Sequence, residues 1–126
     1  MKALLDTSVL IATDVPVLDG ELAISAASLA ELHFGVMVTV DPTVRAERLR
    51  RLSILQRTFD ALPGDDDVAT SYGRLAAAVA GIGRQPRSRV FNLLIAATAH
   101  AHDARLYTRN PADLIGLDDL LEIVAI

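Results

Sequence analysis

Short apolar runs alternate with stretches long and periodic enough to be helices, and this alternation limits the folds open to the chain more than any other feature. Residues 2–5 read as a short buried strand ending at Asp6, and Thr7-Ser8 are natural helix-start residues before Val9-Leu10-Ile11. Asp14 through Gly20 is turn-rich, with Pro16, Asp19 and Gly20, and leads to a second strand at 22–24. A helix follows, with Ser25 or Ser28 as its cap and Leu29, Leu32 and Val36 at helical spacing, while Glu31 lies on a different stripe. Pro42-Thr43 opens a long helix whose apolar face is Val44, Leu52, Leu55 and Phe59, beside Arg45, Arg48 and Arg51.

The same alternation continues to the end of the chain. Residues 61–63 read as a short edge strand, and Asp65-Asp66-Asp67 precede a fourth helix reaching about residue 80. Gly81, Gly83 and Pro86 break the chain into a loop, and 89–102 is an Ala- and Leu-rich helix buried on most sides. A strand at 105–107, a helical turn at 111–113 and a last strand at 121–124 complete the series. Such an order predicts βαβ crossovers: an α/β fold with a short, mostly parallel sheet covered by helices on both faces. Function in these sheets gathers at the carboxyl ends of the strands. Asp6 follows the first strand and Thr108-Arg109-Asn110 follow the strand at 105–107, so two distant segments converge on one edge.

With 126 residues, 52% of them hydrophobic, the chain reads as a single domain over 1–126 with a core that needs no staple. There is no cysteine, which excludes disulfides and thiolate metal sites and points to a reducing cytoplasm. Asp6 interrupts the N-terminal run too early for a signal peptide, and no apolar run approaches the roughly 18 to 20 residues that span a bilayer. A net charge of −4 does not favour wrapping a polyanion, so any contact with nucleic acid must be local. The arginines cluster mostly in 45–57 and 84–109, where a solvated helix face is the commoner account; were the chain to meet nucleic acid, Arg84, Arg87 and Arg89 are the candidates for its phosphates.

Four motifs occur in order: Leu4-Leu5-Asp6-Thr7-Ser8-Val9-Leu10-Ile11, Leu29-Ala30-Glu31-Leu32-His33-Phe34-Gly35, Leu93-Leu94-Ile95-Ala96-Ala97-Thr98-Ala99, and Tyr107-Thr108-Arg109-Asn110-Pro111-Ala112-Asp113-Leu114. Together they span nearly the whole chain and resemble the PIN domain, with the length and spacing of the VapC ribonuclease toxins of type II toxin–antitoxin pairs. The resemblance implies a PIN-like three-layer fold and a metal-dependent endoribonuclease whose acids hold Mg²⁺ or Mn²⁺ and activate water against an RNA phosphodiester. By position, Asp6 corresponds to the family's first acid, Glu31 to its second and Asp113 to its fourth. Thr108 and Asn110 match polar residues beside the last acid, and Thr7 and Ser8 support the first. At the third position, where the family normally has Asp, this chain has Asn92. A cognate VapB-type antitoxin is also implied, lying in an apolar groove near 29–36 and 44–59, as is a homodimer.

Elementary chemistry supports the acids independently, since hard cations prefer carboxylate and water oxygens. A single lysine leaves no phosphate-binding loop, and His33, His100 and His102 are spaced as surface or packing residues rather than as a shared metal site. Each acid alone has a simpler explanation: Asp6 as a helix cap, Glu31 as an exposed helical residue, Asp113 as a turn residue. Asp65, Asp66 and Asp67 are assigned to capping, Asp118 and Asp119 to a turn, and Tyr72 and Phe91 to the core. Asn92 keeps one coordinating oxygen but removes a charge, so the alternative to an enzyme is an inactive PIN-domain binding module that keeps antitoxin or RNA binding. A receiver-like signalling domain is disfavoured because no lysine follows a late strand.

Overall fold

The computed structural model describes residues Met1–Ile126. Strand β1 (Lys2–Leu5) pairs in parallel with both β2 (Glu21–Ala23) and β3 (Arg105–Thr108), and β3 pairs in parallel with β4 (Ile123–Ala125). The sheet order is β2-β1-β3-β4, so the winding direction reverses between β1 and β3. Register places Leu4 beside Leu106 and Leu5 beside Tyr107, and the two-residue period of a strand sends these pairs to opposite faces.

Each face is covered by helices. Leu4 and Leu106 join Leu75 and Val79 of α4 (Asp66–Gly81) and Leu93, Ile95 and Ala96 of α5 (Val90–Ala101) in the larger core. Ala3, Leu5 and Tyr107 pack with Val9 and Leu10 of the short α1 (Thr7–Leu10), and beyond them with Leu29 and Leu32 of α2 (Ala26–Val38) and Leu55 of α3 (Pro42–Thr58). This is the three-layer α/β arrangement expected from the alternation, and every strand pairing is parallel. Ser25 caps α2 by accepting from Ser28 N, and Asp65 caps α4 by accepting from Val68 N.

Several boundaries differ from the sequence reading. β2 begins at Glu21 and ends at Ala23, because Ile24 bonds elsewhere: its carbonyl accepts from Leu62 N. The expected edge strand at 61–63 is reduced to a single bridge between Ser25 and Leu62. The helix expected at 89–102 begins instead as a 3₁₀ turn, Pro86–Arg89, before α5 proper. The last strand starts at Ile123, since Leu121 N is taken by Leu117 O in the preceding turn. Val44 is 42% exposed and Phe91 is 45% exposed, so neither is a core residue as expected; α3 buries only Leu52 fully. No helix is long and apolar enough to cross a membrane.

Candidate active site

Asp6 stands at the N-cap position of α1, yet its side chain makes no capping hydrogen bond. Its backbone is fixed, with the amide donating to Tyr107 O at 3.0 Å and the carbonyl accepting from Val9 N at 2.9 Å. The carboxylate turns instead to two hydroxyls. Thr108 Oγ1 donates to Oδ2 at 2.7 Å, and Ser8 Oγ donates to the same oxygen at 3.0 Å. Each hydroxyl is oriented from behind by main chain: Asn110 N donates to Thr108 Oγ1 and Arg109 N donates to Ser8 Oγ, both at 3.0 Å. The bland reading of Asp6 as a cap therefore fails on geometry. One carboxylate oxygen is held by two donors, and those donors leave Oδ1 to other partners.

The sheet explains why these groups meet. Asp6 ends β1, Thr108 ends β3, and the two strands flank the point where the winding reverses, the usual position of a site in an open α/β sheet. The second acid enters from α2. Thr7 Oγ1 lies 2.9 Å from Glu31 Oε1 and 2.9 Å from Ser28 Oγ, so its one proton is shared between two acceptors. Residues 6–8 thus touch both neighbouring segments, with Ser8 and Asp6 reaching β3 and Thr7 reaching α2.

The remaining nominated residues lie around the start of α5. Asn92 is half-buried in its first turn. Asp113 lies in the 3₁₀ turn Pro111–Leu114, with its Oδ1 4.0 Å from Arg89 Nη1. Arg84 Nη1 donates to Ala112 O at 3.2 Å, and Arg87 is exposed. Sequence reasoning set Arg109 on this edge but gave it no role: its Nη2 meets Asp14 Oδ1 at 2.9 Å and ties the turn-rich 14–20 segment to the site edge. Its place directly after Thr108 was the only available signal. Two histidines bridge helices: His100 Nδ1 lies 2.8 Å from Ser71 Oγ between α5 and α4, and the exposed His33 places Nε2 3.2 Å from Gln56 Nε2 between α2 and α3.

The four nominated residues offer oxygen donors only, the carboxylates of Asp6, Glu31 and Asp113 and the amide of Asn92, a donor set that suits a hard divalent cation. As placed, no three of the chain's acidic and histidine side chains converge as a metal-holding group. Glu31 is engaged by Thr7, and Asp113 faces Arg89. Beside Thr7 and Glu31 opens a groove of about 460 Å³ lined also by Leu10, Leu32, Arg51 and Leu55. Arg51 and Arg48 are anchored at this groove, donating to Leu10 O at 3.2 Å and to Thr39 Oγ1 at 2.8 Å.

The family model described as PIN domain matches residues 3–114. Ribonuclease VapC5 of Mycobacterium tuberculosis is 36% identical over 120 residues, covering 90% of this chain and 86% of that protein. Ribonuclease VapC8 of the same species is 35% identical over 100 residues, covering 76% of this chain and 88% of that protein. The crystal structure of VapBC-5, a member of the VapBC family of toxin–antitoxin systems from M. tuberculosis, has a TM-score of 0.87 at 34% identity and covers 99% of this chain and 98% of that one. VapBC2 from Rickettsia felis, bound to a promoter DNA fragment, shares the fold with a TM-score of 0.77 at 22% identity, covering 99% of this chain and 98% of that one. With four motifs in order, Asp6 at the end of β1 and this breadth of similarity, the chain belongs to the PIN-domain family and, within it, to the VapC type.

Proposed function

We propose that the chain, as a single PIN domain over 1–126, is the toxin of a VapBC-type pair: a divalent-metal-dependent endoribonuclease hydrolysing RNA phosphodiester bonds. The observation that carries this reading is the Asp6 carboxylate, which forgoes its cap and is gripped through Oδ2 by Ser8 and Thr108 at the reversal point of the sheet. Asp6, Glu31, Asn92 and Asp113 would hold Mg²⁺ or Mn²⁺. Bound there, the cation supplies acidification of a water and neutralisation of charge on the leaving oxygen. The protein's own part is orientation: Ser8 and Thr108 fix Asp6, Thr7 fixes Glu31, Asn110 N–H fixes Thr108, and the loop of Arg84, Arg87 and Arg89, of which Arg87 is the exposed one, brings a phosphate backbone to the site. The relatives named ribonuclease support the reaction.

An antitoxin partner is supported by the VapBC structures and by the surface of α2 and α3. Phe34 is 68% exposed and Met37 is 67% exposed, and both sit on the helix that walls the groove beside Glu31. An apolar antitoxin segment would cover these side chains and carry a basic group toward the acids. A homodimer and a cytoplasmic location complete the reading.

Asn92 and the lack of a converged acid triad favour one second reading, an inactive PIN-domain module that retains antitoxin or RNA binding. A mixed RNA pool incubated with the purified chain and Mg²⁺ separates the two. The enzyme reading expects cleavage that EDTA stops and that Asp6→Ala abolishes; intact RNA under all conditions, with antitoxin or RNA still bound, establishes the module.

A further inference from the structure

Arg89 occupies an unfavourable place. It is the residue immediately before α5, where the helix dipole already makes the potential positive, and the first turn of that helix contains no acid. Its side chain is only 24% exposed, and its Nε is enclosed with no hydrogen-bond partner. The acid that offsets this arrangement comes from the 3₁₀ turn after β3: Asp113 Oδ1, 4.0 Å from Nη1.

Two further contacts bring the Asp113 turn to the loop before α5. Arg84 donates to Ala112 O at 3.2 Å, and Gly116, with φ +92°, lies so close to Ile82 that an added Cβ would be 2.6 Å from Ile82 Cδ1. The segment carrying the fourth acid is therefore docked against the α4–α5 loop, and the loop presents a cation to it. An Asp at position 92 would put an acid into the first turn of α5, which now has none, three residues after Arg89. Asn92 leaves Arg89 directed at Asp113.

We propose that Arg89 is a positioning residue of the acid cluster: a resident counterion that holds Asp113 and competes with a divalent cation for it. The inference rests on the reading of the cluster as a metal site. It separates the roles of the three arginines of the loop, because Arg87 is exposed while Arg84 and Arg89 hold the Asp113 turn. A unit charge removed from within several ångströms of a divalent ion should strengthen its binding by about three- to tenfold in a partly solvated site.

The test is calorimetric titration of Mn²⁺, without RNA, into the full chain and into its Asn92→Asp variant, each with Arg89, Arg89→Gln or Arg89→Lys. The expected result is tighter Mn²⁺ binding in Arg89→Gln by about three- to tenfold, with Arg89→Lys, which keeps the charge, close to the parent. Binding that is unchanged or weaker in Arg89→Gln while Asn92→Asp binds Mn²⁺ overturns the counterion role and leaves the metal reading standing. Failure of every variant to bind Mn²⁺ overturns both.

Discussion

Thr108→Val isolates the contact on which the site geometry depends. Thr108 is completely buried, and valine has nearly its shape, so the substitution opens no cavity and its effect reports the hydroxyl. That hydroxyl gives a 2.7 Å hydrogen bond to the Asp6 carboxylate and accepts 3.0 Å from Asn110 N. Hydrogen bonds to a charged acceptor contribute roughly 1.5–3 kcal/mol. Two features place this one in the lower half of the range: Ser8 still donates to the same oxygen at 3.0 Å, and the exposed Asn110 lets water replace its lost acceptor. The expected loss is about 1.5–2 kcal/mol, which at a urea m-value of about 1–3 kcal/mol/M lowers the unfolding midpoint by roughly 0.5–2 M. Circular dichroism in urea measures it, with Thr108→Ser, which keeps the hydroxyl, expected to recover most of the stability. An unchanged or raised midpoint in Thr108→Val would refute the claim that Asp6 is held by this hydroxyl.

Three other perturbations test the scaffold and its charges. Leu75→Ala, at a fully buried position of α4 facing the larger core, should cost about 2–5 kcal/mol in chemical denaturation. Asp65→Ala removes the acceptor for Val68 N and should cost about 1 kcal/mol, with Asp65→Asn recovering most of it. The Arg50 hydrogen bond, reinforced by the nearby charges of Arg50 and Arg51, holds the Glu47 carboxyl below the ordinary 4.5. A depressed carboxyl stabilises above its unfolded value and loses that contribution as pH falls through the lowered one. Because this pair is solvent-exposed, Glu47→Gln should leave the acid limb of a stability-versus-pH curve nearly unmoved, and a large acid-limb change would contradict the assignment.

Local chemistry made much of the fold readable. Leu4 and Leu106 reach one core and Leu5 and Tyr107 the other because a strand alternates, and Ser25 and Asp65 cap because short oxygen side chains satisfy the first free amides of a helix. What escaped the sequence depends on contacts between distant segments. The start of β4 moved because Leu117 O claims Leu121 N. Phe91 could not be assigned to solvent from a helix apolar on nearly every side, since periodicity identifies a face only when polar residues mark the other.

The site divides in the same way. Its residues could be named from motifs, but nothing local tells that Asp6 abandons its cap for Ser8 and Thr108, the latter 102 residues away. Nor does the sequence show that Arg84 and Arg89, nominated for RNA, meet the Asp113 turn, or that Arg109 clasps Asp14. The arginines of α3 likewise read as a solvated basic face, yet Arg48 and Arg51 reach oxygens at the ends of neighbouring helices.

On the proposed reading, the acid cluster binds a divalent cation to cut RNA and Asn92 sets how strongly it does so. At an effective dielectric near 20, two unit charges about 4 Å apart interact by about 4 kcal/mol, so restoring one charge beside a divalent ion is worth on the order of a thousandfold in occupancy. The measurement is the rate of Mg²⁺-dependent cleavage of a mixed RNA pool by the chain and by Asn92→Asp, with EDTA controls and with Asp6→Ala in both. The account predicts a large increase in Asn92→Asp, lost with EDTA and with Asp6→Ala. An Asn92→Asp variant that cuts no faster than the parent, or whose cleavage survives Asp6→Ala, would contradict it.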